Sequence, residues 1–192
     1  MSQTFEDKKI RCGWVSSDPL YISYHDNEWG QPVYDDAHLF ELLCLEGQQA
    51  GLSWITVLKK RENYRNAFHQ FDPRKVAAMT DEDIDGLMQD AGLIRHRLKL
   101  DAIVVNARAY MKMQQEGEDF SQFLWSFTEG KPQLNRPETL ANVPAKTEIS
   151  DVMSKALKKK GFKFIGSTIC YAFMQASGMV NDHVKTCFCG KH

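Results

Sequence analysis

Between Leu42 and Leu58 run seventeen residues, LLCLEGQQAGLSWITVL, that carry one charge, Glu46. A carboxylate in apolar surroundings is costly unless a partner meets it. Gly47 and Gly51 flank it, and Trp54 follows eight residues on. Upstream, Trp14, Tyr21, Tyr24 and Trp29 place four aromatic rings within sixteen residues. An acid beside aromatic faces suits a flat, cationic ligand that donates hydrogen bonds. The same residues also fit a core aromatic cluster in which Glu46 caps a nearby amide.

A second constellation lies at the two ends. His183 and Cys187 are four apart, one helical turn, while Cys12 and His25 sit near the start. Two Cys and two His make the set that closes a structural zinc site, with no position left for water. Cys189 and His192 compete for the fourth place. The five cysteines are an odd number and the N-terminus has no export signal, so a disulfide framework is not expected. A metal would tie loose termini together without one. The third feature is the run MQDAGLIRHRLKL, read as helix, turn at Gly92, helix, with Arg95 and Arg97 at the start of the second helix. Positive charge there opposes the macrodipole, a conflict that a bound phosphate would resolve. The alternative is an ordinary helical hairpin with solvated basic side chains.

The elements that must position these groups are helical. Leu, Ala and Met outnumber Val and Ile, and the chain has only 12 Gly and 6 Pro. Periodicity predicts helices over 36–46, 52–71, 73–78, 95–117, 120–127 and 167–177, with two more opened by Thr80 and by Ser150-Asp151. Pro132, Pro137 and Pro144 mark the longest irregular stretch, 130–149. The expectation is an all-α single domain over 11–187 with two lobes around a cleft, a flexible leader 1–10 and a tail 188–192. Net charge is −1, which excludes a globally basic nucleic-acid binder. Yet residues 152–181 hold five Lys and no acid, enough for one basic face. No apolar run approaches the roughly 20 residues that span a bilayer, and no signal peptide is visible, so a cytoplasmic protein is expected.

The strings RCGWVSSDPLYISYHDNEWGQP, LFELLCLEGQQAGLSWITVLKKRENYRNAFHQFDP, DAGLIRHRLKLDAIVVNARAY and SKALKKKGFKFIGSTICYAFMQASGMVNDHV resemble the DNA-3-methyladenine glycosylase I family, part of the helix-hairpin-helix DNA glycosylase superfamily. The likeness spans about residues 11–187. It implies a helix-hairpin-helix fold and excision of 3-methyladenine from double-stranded DNA by a monomer, with the free base as product. It places structural zinc on Cys12, His25, His183 and Cys187. The base pocket falls on Glu46, Tyr24 and Trp54, with Trp14 and Tyr21 nearby, and Glu46 is the expected catalytic residue, acting either by accepting a hydrogen bond from the adenine amino group or by orienting water at the sugar carbon. The residue that probes the stack falls in the turn Gln49-Ala50-Gly51-Leu52, and the phosphate hairpin on 91–97. The catalytic Asp that many superfamily members carry some twenty residues past the hairpin is absent, since 104–114 hold no acid. No Lys stands in the pocket segment, although Lys59 and Lys60 follow it, so a monofunctional enzyme without a Schiff-base step is expected. A zinc hydrolase is the main rival, but no HExxH is present. A non-enzymatic module binding bent DNA would need the hairpin and not Glu46.

Overall fold

The computed structural model describes residues 2–191. Among them are nine α-helices: α1 (Pro19–Asn27), α2 (Asp36–Gln48), α3 (Trp54–Ala67), α4 (Pro73–Ala77), α5 (Asp81–Leu87), α6 (Arg97–Gln115), α7 (Phe120–Trp125), α8 (Glu148–Lys159) and α9 (Ser167–Ala176). Four two-residue strands complete the pattern. β1 (Gln3–Thr4) pairs antiparallel with β2 (Ile10–Arg11), and β3 (Gln133–Leu134) pairs parallel with β4 (Val180–Asn181). The architecture is helical, as composition implied. The two ladders only stitch distant segments together.

Local chemistry starts most of the helices. Asp18 and Asp72 each accept a backbone N–H two residues on, with proline next in line. Proline at a first helical position loses no bond, because that N–H has no intrahelical partner. Thr80 and Thr147 each close a reciprocal capping box, with Asp83 and Ser150. Helix α1 was not anticipated, although Asp18-Pro19 is a start signal of this kind. The predicted helix over 52–71 stops instead at Ala67. His69, Gln70 and Phe71 then take left-handed backbone angles, which turn the chain so that Phe68 and Phe71 both enter the core. The stacked rings of Tyr64, Phe68 and Phe71 fill that corner.

Helix α2 is the axis of the molecule. Its residues from Leu39 to Gln48 are buried on every side, and it packs against α9, α6 and α3. A helix so enclosed can place a side chain where water does not reach. Within the described part of the expected leader, residues 2–10, β1 pairs with β2 at Gln3–Arg11 and Thr4–Ile10. Arg11, fully buried, donates to both carboxylate oxygens of Asp7 and of Asp26 at 2.7–3.0 Å. The tail turns back as a short 3-10 helix, Phe188–Lys191, and the Phe188 ring lies under Arg11 and Lys9. Leader and tail therefore pack on one another. No described helix is long and apolar enough to cross a membrane.

Candidate active site

Glu46 stands in the last turn of α2 and is 3% exposed. It lines a cavity of about 180 Å³ together with Trp14, Tyr21, Tyr24, Trp29 and Trp54. Tyr24 comes from α1 and Trp54 from the first turn of α3, and their rings are 5.5 Å apart. Arg61 of α3 holds α1 in place through both oxygens of Glu28, at 2.6 and 3.0 Å. Trp14 packs on Tyr21 at 5.0 Å and on Trp29 at 5.0 Å. The structure thus brings together all five pocket residues expected from the sequence, with Trp29 of the same aromatic run and Gln49 of the turn after α2, and adds Leu140, Val143, Ala172 and Gln175. Leu140 and Val143 belong to the proline-marked stretch, whose sequence shows no periodic signal. Gln175 lies on α9, which reads from sequence as a plain core helix.

Among the described residues, three buried side-chain polar atoms have no hydrogen-bond partner: Glu46 Oε2, Trp14 Nε1 and Trp54 Nε1. All three residues line the one cavity. Native interiors satisfy nearly all buried polar groups, so three orphans on residues that line one space single it out as a candidate ligand site. Burial pushes the Glu46 carboxyl up to about 8, so the empty site holds it mainly protonated at neutral pH. Tyr24 is raised for the same reason, with the Glu46 charge adding to it.

Behind the aromatic wall lies the Cys/His cluster. The ligand atoms of His25, His183, Cys187 and Cys189 fall within 4.8 Å of one another. Cys12, fully buried, lies against the Cys187 thiol, outside that tight group. Both imidazoles are held from behind. His25 Nδ1 meets Asp26 Oδ1 at 2.8 Å, and His183 Nδ1 meets Asn181 Oδ1 at 2.8 Å. This leaves His25 Nε2 facing Cys187 Sγ at 3.5 Å. Burial, with His25 alongside, lowers His183 to about 4, so the ring is neutral as a ligand must be. His25 Nε2 also takes the Cys12 N–H at 3.4 Å, and His183 Nε2 lies 3.4 Å from the His25 carbonyl oxygen; anchoring an imidazole through Nδ1 is the arrangement that metal sites use. Trp29 packs edge-on against His183 at 4.7 Å, and Trp14 against His25 at 5.2 Å. The pocket wall rests on the cluster.

The expected DNA contacts divide. Gly51 (φ +77°) shapes the turn between α2 and α3, and Leu52 stands 40% exposed at its tip. Gly92 does not take the left-handed angle of a helix-ending glycine. A Cβ there would come within 2.8 Å of Asn63 Nδ2 and 2.9 Å of Asp90 Oδ1, both ends of side chains that would have to shift. Arg95 is exposed. Arg97 differs from expectation: it is paired with Asp85 and Asp101, with Asp81 at 3.8 Å. The His96 side chain meanwhile accepts the Lys99 N–H at 3.3 Å and caps α6. Asp85 and Asp101 thus give Arg97 partners that the sequence reading did not name, while Arg95 has no ion pair among the described residues. In the Lys-rich run, Lys160 is paired with Glu118, while Lys155, Lys158, Lys159 and Lys163 are exposed.

Fold and site together define a helical protein with an aromatic box that holds one buried carboxyl group and two unpartnered indole N–H groups. The sequence profile of methyladenine glycosylases matches residues 14–190. DNA-3-methyladenine glycosylase 1 of Escherichia coli K12 is 66% identical over 179 residues, covering 93% of this chain and 96% of the relative. A crystal structure of 3-methyladenine DNA glycosylase I superposes with a TM-score of 0.92 at 62% identity, over 93% of this chain and 98% of the other. A point variant of 3-methyladenine DNA glycosylase I in complex with 3-methyladenine superposes with a TM-score of 0.89 at 45% identity, over 92% and 95% of the two chains. The chain belongs to the methyladenine glycosylase family.

Proposed function

We propose that the chain excises 3-methyladenine from alkylated DNA by hydrolysing its N-glycosyl bond, and that Glu46 is the group that recognises the extruded base. The carrying observation is the unpartnered Oε2 of Glu46, buried in an aromatic cavity beside two unpartnered indole N–H groups. A nucleotide inside a duplex must first be extruded, at a cost of a few kcal/mol that is smaller for a damaged base. Leu52, exposed on a tight turn, fills the gap as an apolar wedge. Arg95 and the exposed lysines of 155–163 meet the DNA backbone, so the hairpin between α5 and α6 serves as the helix-hairpin-helix element of a monomer acting on double-stranded DNA in the cytoplasm.

Methylation at N3 makes adenine cationic while it is still attached to sugar; the sugar–base bond breaks with its electron pair leaving on the base, which departs neutral, and a water adds to the sugar carbon and gives its proton to solvent. The pocket therefore needs no strong general acid. Glu46 accepts from the adenine amino group, and the ring lies against Trp54. Binding a cation favours the ionised carboxylate, so Glu46 releases its proton as the base enters. With the base gone, burial draws the proton back, which favours release of the neutral product.

We read the Cys/His cluster as a structural zinc site: His25, His183 and Cys187 belong to the tight group, Cys12 against the Cys187 thiol is the fourth ligand that the family resemblance implies, and Cys189, the thiol inside the tight group, competes for that place. Tetrahedral zinc closed by protein donors supplies folding energy rather than chemistry. Here it would brace Trp14 and Trp29.

The test is single-turnover release of 3-methyladenine from methylated DNA, alongside titration with the free base. Glu46→Gln keeps part of the activity, because an amide oxygen still accepts from the amino group. Glu46→Ala loses more. An alanine variant with unchanged release and unchanged base affinity overturns the assignment.

A further inference from the structure

The turn that carries Leu52 is joined to the α5–α6 hairpin by a closed set of buried hydrogen bonds. Lys99, in the first turn of α6, is 5% exposed. Its Nζ donates to the carbonyl oxygens of Gln48 at 3.0 Å and Ala50 at 2.5 Å. Gln48, itself buried, returns a bond from Nε2 to the Lys99 carbonyl oxygen at 2.9 Å. The Tyr64 hydroxyl donates to Gln48 Oε1 at 3.1 Å and accepts the Ile94 N–H at 3.2 Å. Donors and acceptors match at every link, so the orientation of the Gln48 amide and the hydroxyl is set. Two outer ties run from α3 to the same hairpin, Lys60 Nζ to the Ala91 carbonyl at 3.0 Å and Asn63 Nδ2 to the Gly92 carbonyl at 3.1 Å.

A buried lysine without a carboxylate is unusual, since the ammonium is strongly hydrated in water. No ion pair to Lys99 is present among the described residues. Its charge is met by carbonyls at the C-terminal end of α2, the negative end of that helix. Water or a glycine cap could satisfy those carbonyls at a surface turn. An ammonium sent from another element does more: it sets the distance between the two elements. Tyr64 adds a third element to the same set. The result is one rigid frame with the hairpin on one side and residues 49–52 on the other.

We propose that Lys99, with Gln48 and Tyr64, is a positioning residue that holds the wedge turn 49–52 in register with the DNA-facing hairpin, so that gripping the backbone and filling the vacated stack are one mechanical event. This rests on the reading of Leu52 as wedge and of the hairpin as a backbone contact. A wedge helps extrusion only when it is placed against a fixed grip, because misplacement by about 1 Å is costly for a positioned group. Single-stranded DNA offers no stack to refill and needs no such register.

Lys99→Met keeps most of the stem and removes the donors. Tyr64→Phe keeps the ring and breaks two links of the set. Release of 3-methyladenine is measured in single turnover from duplex and from single-stranded DNA of the same sequence, with free-base affinity measured alongside. Both variants are expected to slow release from duplex by about tenfold, with single-strand release and free-base affinity within about twofold of the parent. Equal losses on both substrates, or a parallel fall in free-base affinity, would mean a general packing role and overturn the proposal. Unchanged duplex release overturns it as well. If Lys99→Met fails to fold, Tyr64→Phe decides by the same split. Leu52→Ala separates the underlying reading: unchanged duplex release there removes the wedge and the proposal together. Loss at Leu52 without loss at Lys99 and Tyr64 removes only the proposal.

Discussion

Glu46 joins stability to function in one side chain. Its folded carboxyl keeps the proton up to about 8, against an ordinary value of 4.5. Between those values the folded state binds more protons than the unfolded one, so stability falls as pH rises through the window. Glu46→Gln removes the ionisation. Urea unfolding should show the Gln variant gaining on the parent from about pH 5 to about pH 8, by on the order of a few kcal/mol. A difference that stays flat with pH would contradict the burial of this group. Trp54 is the matching apolar partner. Trp54→Ala should weaken free 3-methyladenine binding by about 1–3 kcal/mol through lost stacking, as read by titration.

Among the elements, the hairpin shows how a basic run can be spent internally. Arg97 is engaged by Asp85 and Asp101, while Arg95 remains open to solvent. Arg95→Ala should lower the slope of log affinity for DNA against log salt by about one. Arg97→Ala should leave that slope unchanged, since its charge is already compensated. A salt titration of duplex binding separates the two, and a reduced slope for Arg97→Ala would show that it leaves its acids for phosphate. The segment around Arg97 holds no acid between Asp90 and Asp101. Its partners arrive from the previous helix and from one turn further along its own.

Across the whole molecule, the two chain ends meet behind the pocket. Asp26 receives Arg11 on one side and His25 on the other, so β2, α1 and the Cys/His cluster form one body. Cys12→Ser should lower metal content and thermal midpoint together, read by elemental analysis and calorimetry. Chelation of the parent should weaken free-base binding as well, because Trp14 and Trp29 lean on the imidazoles. A chelated protein with the parent's melting behaviour would argue against a structural ion.

The sequence by itself determined the helical class and the Thr80 cap, because periodicity and capping act within a few residues, whereas α8 starts from Thr147 and not from the expected Ser150-Asp151. Glu46 was legible as the lone charge in a long apolar run, and the pocket aromatics as a cluster near it. The left-handed corner at His69–Phe71 was not legible, because core packing of Phe68 and Phe71 overrides a local pattern that reads as helix. Nor were the fate of Arg97, the frame around Lys99 and the entry of Gln175 into the cavity. Whether a polar atom is paired, orphaned or buried depends on residues that sequence distance separates and folding brings together. Gln48 and Lys99 lie 51 positions apart and share two hydrogen bonds. Such pairings exist only once the helices have docked, so only the tertiary structure decides them.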